Sequence, residues 1–201
     1  MTSRTIYTIG HSTHSFATFH NLLRKHEITA IADVRSMPAS RFAPQFNRDP
    51  LKRALHDSHI KYVFLGEELG ARSNDPACYV DGQVQYERLA RTPQFMRGIK
   101  RLLKGTQTER IAIMCTEQEP LDCHRTILVA RLIAEHDMSI DHIHGDGHLE
   151  NQDMAMRRLM AKYDLAEDDL FNEPAERLKM ALLRQERRIA YVKDKSYIDG
   201  V

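Results

Sequence analysis

Cys115-Thr-Glu-Gln-Glu-Pro-Leu-Asp-Cys-His-Arg125 gathers two thiols, an imidazole, carboxylates and a guanidinium into one short run. A thiolate is both a nucleophile and a soft metal ligand, and a thiol at a helix start has its charged form stabilised by backbone amides and a nearby arginine. Cysteine phosphatases use such an arrangement with Cys-x5-Arg spacing. Here Cys115 stands too far from Arg125 and Cys123 too near, which excludes that class. A zinc knuckle is no better matched, because Cys-x7-Cys is not its usual spacing. Spacing therefore assigns no metal ligands, and by burial statistics Cys115 reads as an inert core thiol.

Three other runs carry polar chemistry. Gly10-His11-Ser12 lies between a predicted strand and helix, where backbone amides and the Ser12 hydroxyl suit an anion and His11 suits acid–base work. It is neither a dinucleotide fingerprint nor a phosphate loop. Asp33-Val-Arg-Ser-Met-Pro-Ala-Ser-Arg-Phe42 sets a carboxylate, Arg35, Arg41 and two hydroxyls on a proline-stiffened loop. Arg41 beside Phe42 and Phe46 would suit a nucleobase. His142-Ile-His-Gly-Asp-Gly-His148 compares with the His-x-His-x-Asp-His run of binuclear metal hydrolases, but a glycine between Asp146 and His148 breaks the match.

The elements that must position these groups follow from periodicity. Short β-branched and apolar runs predict strands over 5–10, 28–34, 60–65, 110–115 and 139–144. Between them, helical spacing predicts a helix capped by Ser15, one opened by Asp49-Pro50, one from Thr92-Pro93 to Gly105, and one over 124–135. Residues 70–84 read as a long surface excursion of the kind that serves a site. Alternating strands and helices imply a parallel sheet with right-handed crossovers. The fold class is thus α/β: a Rossmann-like three-layer sandwich with a mostly parallel five-stranded sheet. The favoured strand order is 3-2-1-4-5, with a flavodoxin-like order as the alternative. After residue 150 the texture changes to charged, methionine-rich helical segments, over 151–163 and 174–192, the second opened by Asn172 and Pro174. This divides the chain into an α/β domain over 1–150 and a helical extension over 151–201.

In such a sheet the carboxyl ends of the strands share one edge, where ligands bind. Every predicted strand ends in a polar pair: His11 and Ser12, Asp33 and Arg35, Glu67 and Glu68, Cys115 and Glu117, His144 and Asp146. Composition narrows the partners. The 201 residues carry 29 basic and 28 acidic side chains, a net +1, so no global basic field exists to hold nucleic acid. There is no apolar run for a signal peptide or a membrane span. Three cysteines make no disulfide framework, and a reducing, cytoplasmic setting is expected.

Thr8-Ile-Gly-His-Ser12, Asp33 through Ser40, Leu65-Gly-Glu-Glu-Leu-Gly70 and Cys115 through Arg125 together resemble the family catalogued as domain of unknown function 488, in family order over about residues 5–148. The resemblance implies a three-layer α/β fold and an intracellular, mainly prokaryotic protein. It supplies no activity. It implies site positions at His11, Ser12, Asp33, Arg35, Ser40, Cys115, Glu117, Cys123, His124 and Arg125.

The leading expectation is an enzyme acting on a phosphate-bearing ligand, a nucleotide or nucleic-acid end. Arg35, Arg41 and Arg125 would grip phosphate, with Ser12, Ser40, Cys115, Cys123 and His124 around it, and His11 with Asp33 or Glu117 would move protons. The alternative is a metal- or redox-responsive binding protein centred on Cys115, Cys123 and nearby histidines. A nucleic-acid module without catalysis is disfavoured by the neutral charge. The sequence leaves the cofactor unassigned, and the C-terminal helices would be the route to a homo-oligomer.

Overall fold

The computed structural model describes residues 4–166 and 173–193. Asn172, expected to open the last helix, lies outside them. Six strands form the main sheet: β1 (Thr5–Gly10), β2 (Ala30–Asp33), β3 (Lys61–Phe64), β6 (Ile111–Cys115), β7 (Ser139–Ile143) and β8 (Leu149–Asn151). Their order is β3-β2-β6-β1-β7-β8, all parallel except β8. In the long loop after β3, the short strands β4 (Tyr79–Val80) and β5 (Gln83–Val84) make a separate hairpin.

Both expected strand orders are corrected. The first and fourth of the predicted strands are central, but β6 inserts between β1 and β2 instead of lying outside β1. Crossover rules fix the hand of a βαβ connection and not the number of slots it skips. β6 is buried at every position, as suits a parallel strand covered on both faces. The sixth strand was also missed. The 142–148 run is a tight turn, closed by Gly147 N–H donating to His144 O at 2.9 Å and His144 N–H to His148 O at 3.0 Å. Gly147 sits at φ +80°, and the turn sends the chain back as antiparallel β8.

Helices cover both faces. On one, α1 (Phe16–Lys25) and α2 (Arg48–Asp57) bury Phe19, Leu23, Leu51 and Leu55 against Tyr7, Ile9, Ile31 and Met114. Ser15 caps α1 as expected, accepting from Thr18 N–H. The cap position of α2 is Asn47, so Asp49 and Pro50 fall in its first turn. On the other face, the short α3 (Gly66–Leu69) and α4 (Tyr86–Ala90) lead to α5 (Pro93–Gly105), which is capped by Thr92 as expected. Beside them run the 125–134 helix, α7 (Gln152–Lys162) and α8 (Pro174–Ile189). The 125–134 helix is wound as a π-helix over Arg125–Ala130 before α6 (Arg131–Ala134); such widened turns often mark functional sites.

The C-terminal segments share the core of this second face. Ala155, Leu159 and Ala181 belong to the same buried cluster as Ile113 and Ile127. Gln185 Nε2–H donates to Leu121 O at 2.6 Å, and Val84 N–H to Tyr191 O at 2.9 Å. The boundary drawn at residue 150 falls inside β8.

Beyond β1 and β6 the chain leaves toward opposite faces, which makes a crevice at the carboxyl edge. His11 N–H donates to Cys115 O at 3.0 Å and Ser12 N–H to Thr116 O at 2.9 Å, so the turn after β6 lies across the end of β1. A Cβ on Gly10 would stand 1.9 Å from Glu117 O, too close for any other residue. Gly10→Ala is expected to destabilise the fold by about 3 kcal/mol, the upper end of the overpacking range. Urea unfolding of variant and wild type measures this, and an unchanged midpoint would disprove the close crossing.

Candidate functional site

Arg125 organises the crevice. Among the described residues it is the bulkiest fully buried side chain, and its fork faces backbone: Nη1–H donates to Glu117 O at 2.5 Å and Nη2–H to Gln118 O at 3.1 Å. A buried guanidinium therefore curls residues 116–118 over Gly10, and this brings the two ends of the Cys115–Arg125 run together.

At that meeting point lie three buried side chains, Cys115, Cys123 and His124, whose Sγ, Sγ and Nδ1 atoms are all within 4.8 Å of one another. Nδ1 of His124 is 3.7 Å from Cys115 Sγ and 3.9 Å from Cys123 Sγ. Nε2–H of the same ring donates to Val34 O at 3.2 Å, which turns the Nδ1 lone pair toward the sulfurs. Glu117 Oε2 lies 3.2 Å from Cys115 Sγ and 3.0 Å from Cys123 Sγ. Burial opposes charge on Cys123, but its hydrogen bond with Cys115 and the Arg125 cation outweigh this and bring its pKa well below the usual thiol range. Cys115 moves the other way, held protonated by its bond to Cys123 and by burial. Burial, then the Cys123 charge, raises Glu117.

Next to this cluster is a closed polar network. Arg35 folds back on Asp33, with Nε–H to Oδ1 at 2.9 Å and Nη2–H to Oδ2 at 2.6 Å, and Nη2–H also donates to Phe46 O at 2.8 Å. Tyr62 O–H donates to Asp33 Oδ2 at 2.7 Å, leaving that buried carboxylate saturated. Arg35 Nη1–H donates to His11 Nε2 at 3.0 Å, while His11 Nδ1–H donates to Ser12 O at 2.9 Å and the ring stacks on Phe46. Burial, followed by the Arg35 charge, pushes the His11 pKa down to about 4. His11 is thus neutral near pH 7 with both nitrogens engaged.

The remaining expected positions are dispersed. Ser40 Oγ accepts from Phe42 N–H and Ala43 N–H within its own loop, and Arg41 lies exposed on the Phe42 ring. Glu68 pairs with Arg101. His144 bonds Glu150 at 3.0 Å and stacks on His148, which bonds Asp146 at 2.7 Å. His142 is buried between Thr8 and Gln152 at 2.8 Å from each; burial, then the Arg125 charge, pushes its pKa down to about 4.

Cys115, Cys123, His124, Glu117 and Arg35 line a cavity of about 210 Å³ that also takes Arg72, Tyr86 and Tyr191 in its wall. Ser36, Met37, Arg72 and Tyr191 also border an outer cleft of about 860 Å³. Arg72, Tyr86 and Tyr191 were missed from the sequence. Arg72 lies in the excursion that was expected to serve a site, but no signal pointed to Tyr191, which reaches the cavity from beyond α8.

The molecule is thus a doubly wound α/β protein with a thiol–imidazole cluster at the switch point of its sheet. The family model for Domain of unknown function DUF488 matches residues 15–132, more than half of the chain, and the chain belongs to that family. β1 and the Gly10-His11-Ser12 run lie outside the matched residues. None of the curated proteins and none of the solved structures compared with the chain matches it. Among the described residues no helix is long and apolar enough to cross a membrane.

Two outcomes are expected. Arg125→Lys keeps the charge but removes the two-pronged donor, and it should lose about 1.5–3 kcal/mol of stability, the range for a hydrogen bond from a charged group; unchanged urea unfolding would show that the fork is not a strut. His11 and His142 have folded pKa values of about 4 against roughly 6.5 in an unfolded chain. Only the unfolded state gains protons as pH falls through that interval, so stability should be full above pH 6.5 and decline toward pH 4. Urea midpoints across this range measure it, and a flat profile contradicts the neutral-histidine assignment.

Proposed function

We propose that the protein is a metalloprotein that holds a thiophilic divalent cation, zinc being the best match, between Cys115, Cys123 and His124. The observation that carries this is the size of the sulfur–nitrogen triangle. Tetrahedral zinc with Zn–S of about 2.3 Å and Zn–N of about 2.0–2.1 Å has S···N edges of about 3.6 Å. The edges here are 3.7 and 3.9 Å. The orienting bond from His124 Nε2–H to Val34 O is the support that metal-bound histidines generally have. The Cys-x7-Cys spacing, unlike that of a knuckle, is reconciled by the neighbouring His124 and by the Arg125-held turn.

The phosphate reading has less support from the same geometry. The forks of Arg35 and Arg125 already face Asp33 and backbone carbonyls, and Arg41 is not in the cavity wall. A redox role is the other half of the thiol reading, since a Cys115–Cys123 disulfide would use the same atoms.

The test is metal analysis of protein purified without an affinity tag, with added zinc followed by exhaustive dialysis. About one zinc per chain is expected, falling at least tenfold in Cys115→Ser and Cys123→Ser. A chain that keeps no metal after dialysis, or that keeps it equally in both variants, refutes the assignment. A Cys115–Cys123 disulfide that persists in mild reductant would move the site to the redox reading.

A further inference from the structure

We propose that this centre is catalytic and hydrolytic: Cys115, Cys123 and His124 hold the ion, the fourth position opens on the cavity with a water, and Glu117 takes that water's proton. The inference rests on the metal reading above and goes beyond it by assigning a reaction, a base and a substrate class.

Glu117 flanks the ligand triangle without belonging to it. Its Oε2 lies 3.2 Å from Cys115 Sγ and 3.0 Å from Cys123 Sγ, and its side chain lines the same cavity. A fourth tetrahedral ligand would lie about 3.4 Å from Nδ1 at ordinary zinc distances. The side chains with mutually close ligand atoms are Cys115, Cys123 and His124, without Glu117. A water would complete the shell at the open position, and Glu117 Oε2, in contact with both ligand sulfurs, is placed to accept its proton. Three protein ligands with one open position define a catalytic zinc site, whereas structural sites are closed by four. The bound water is the nucleophile such sites supply.

Space bears on the substrate. At ~30 Å³ per water, the inner cavity of about 210 Å³ holds roughly seven waters, room for a small reacting group. The rest of a substrate would lie in the outer cleft of about 860 Å³. Arg72 stands at the junction of the two, its guanidinium lying 4.6 Å from the Tyr191 ring centroid with Nη1–H donating to Met37 Sδ at 3.2 Å. Nε and Nη2 have no partner among the described residues. Two donors of a planar fork at the cavity mouth suit an oxyanion, a carboxylate or a phosphate. The substrate class is thus a small ester or amide that bears an anionic group beyond its electrophilic carbon.

The step balances as a hydrolysis. Glu117 removes a proton from the water as its oxygen bonds to the substrate carbon, the bond from that carbon to the leaving oxygen or nitrogen breaks, and Glu117 returns the proton to the leaving group. No oxidant or reductant is consumed.

The test uses the full chain loaded with cobalt(II), whose visible absorption reports the ligand sphere. Azide should shift the spectrum of the wild type by taking the open position. Glu117→Gln should keep one cobalt per chain and the azide response, yet hydrolyse mono-4-nitrophenyl succinate ~100-fold more slowly, the usual scale of a general base. Arg72→Met should raise KM for this ester but not for uncharged 4-nitrophenyl acetate. Failure to hold cobalt at all refutes the metal reading itself. Bound cobalt with no azide response, loss of cobalt from Glu117→Gln, or an open site that hydrolyses neither ester leaves the metal reading standing and overturns the catalytic one.

Discussion

A positive charge is fully buried under the turn that follows the central strand, and the rest of the carboxyl edge depends on it. Arg125 has no carboxylate partner in its bonds to Glu117 and Gln118; its fork ends on two carbonyl oxygens. Burying a cation is costly unless it finds hydrogen-bond acceptors; Nε has none, so the turn must approach closely enough to supply both carbonyls to the two fork nitrogens. That approach requires Gly10 beneath it, where a side chain would meet Glu117 O. It also draws Cys115 at one end of the run toward Cys123 and His124 at the other.

The neighbouring Asp33–Arg35–His11 network works as a brace. It links the end of β2 to the end of β1 through Arg35, and to the following loop through Phe46 O. Tyr62 on β3 adds a third strand through its bond to Asp33. The side-chain nitrogens and oxygens of the brace are thereby occupied, and Arg35 is the member that reaches the cavity wall. Gly66 serves the same packing at the next strand end, since a Cβ there would be 2.0 Å from Arg35 O. The chemistry is left to the softer groups on β6 and the turn beyond it.

Local signals carried most elements. Helix caps at Ser15 and Thr92, the apolar run over 110–115 and the strand over 5–10 were all legible, because capping and apolar periodicity act over a few residues. The three-layer class followed from alternation alone. What escaped was whatever depended on distant chain segments: the slot taken by β6, the antiparallel β8, and the contribution of Ala155, Leu159 and Ala181 to the central core. Charged helices with a narrow apolar stripe look separable in sequence, since the surface that covers that stripe is elsewhere in the chain.

The sequence by itself determined the layer architecture, the edge at which polar residues accumulate, and the run from Cys115 to Arg125 as its richest stretch. Side-chain type and strand direction suffice for that, because all parallel strands end on one edge. Tertiary structure alone decided which of those residues share a volume and which have their valences filled by neighbours. His11, Asp33, Arg35 and Arg125 stand at the expected edge, yet they bond one another or the backbone, while Cys115, Cys123, His124 and Glu117 face a cavity completed by Arg72 and Tyr191. A residue's chemistry is written in its type, but whether its lone pairs and protons are available depends on partners that folding brings from far along the chain.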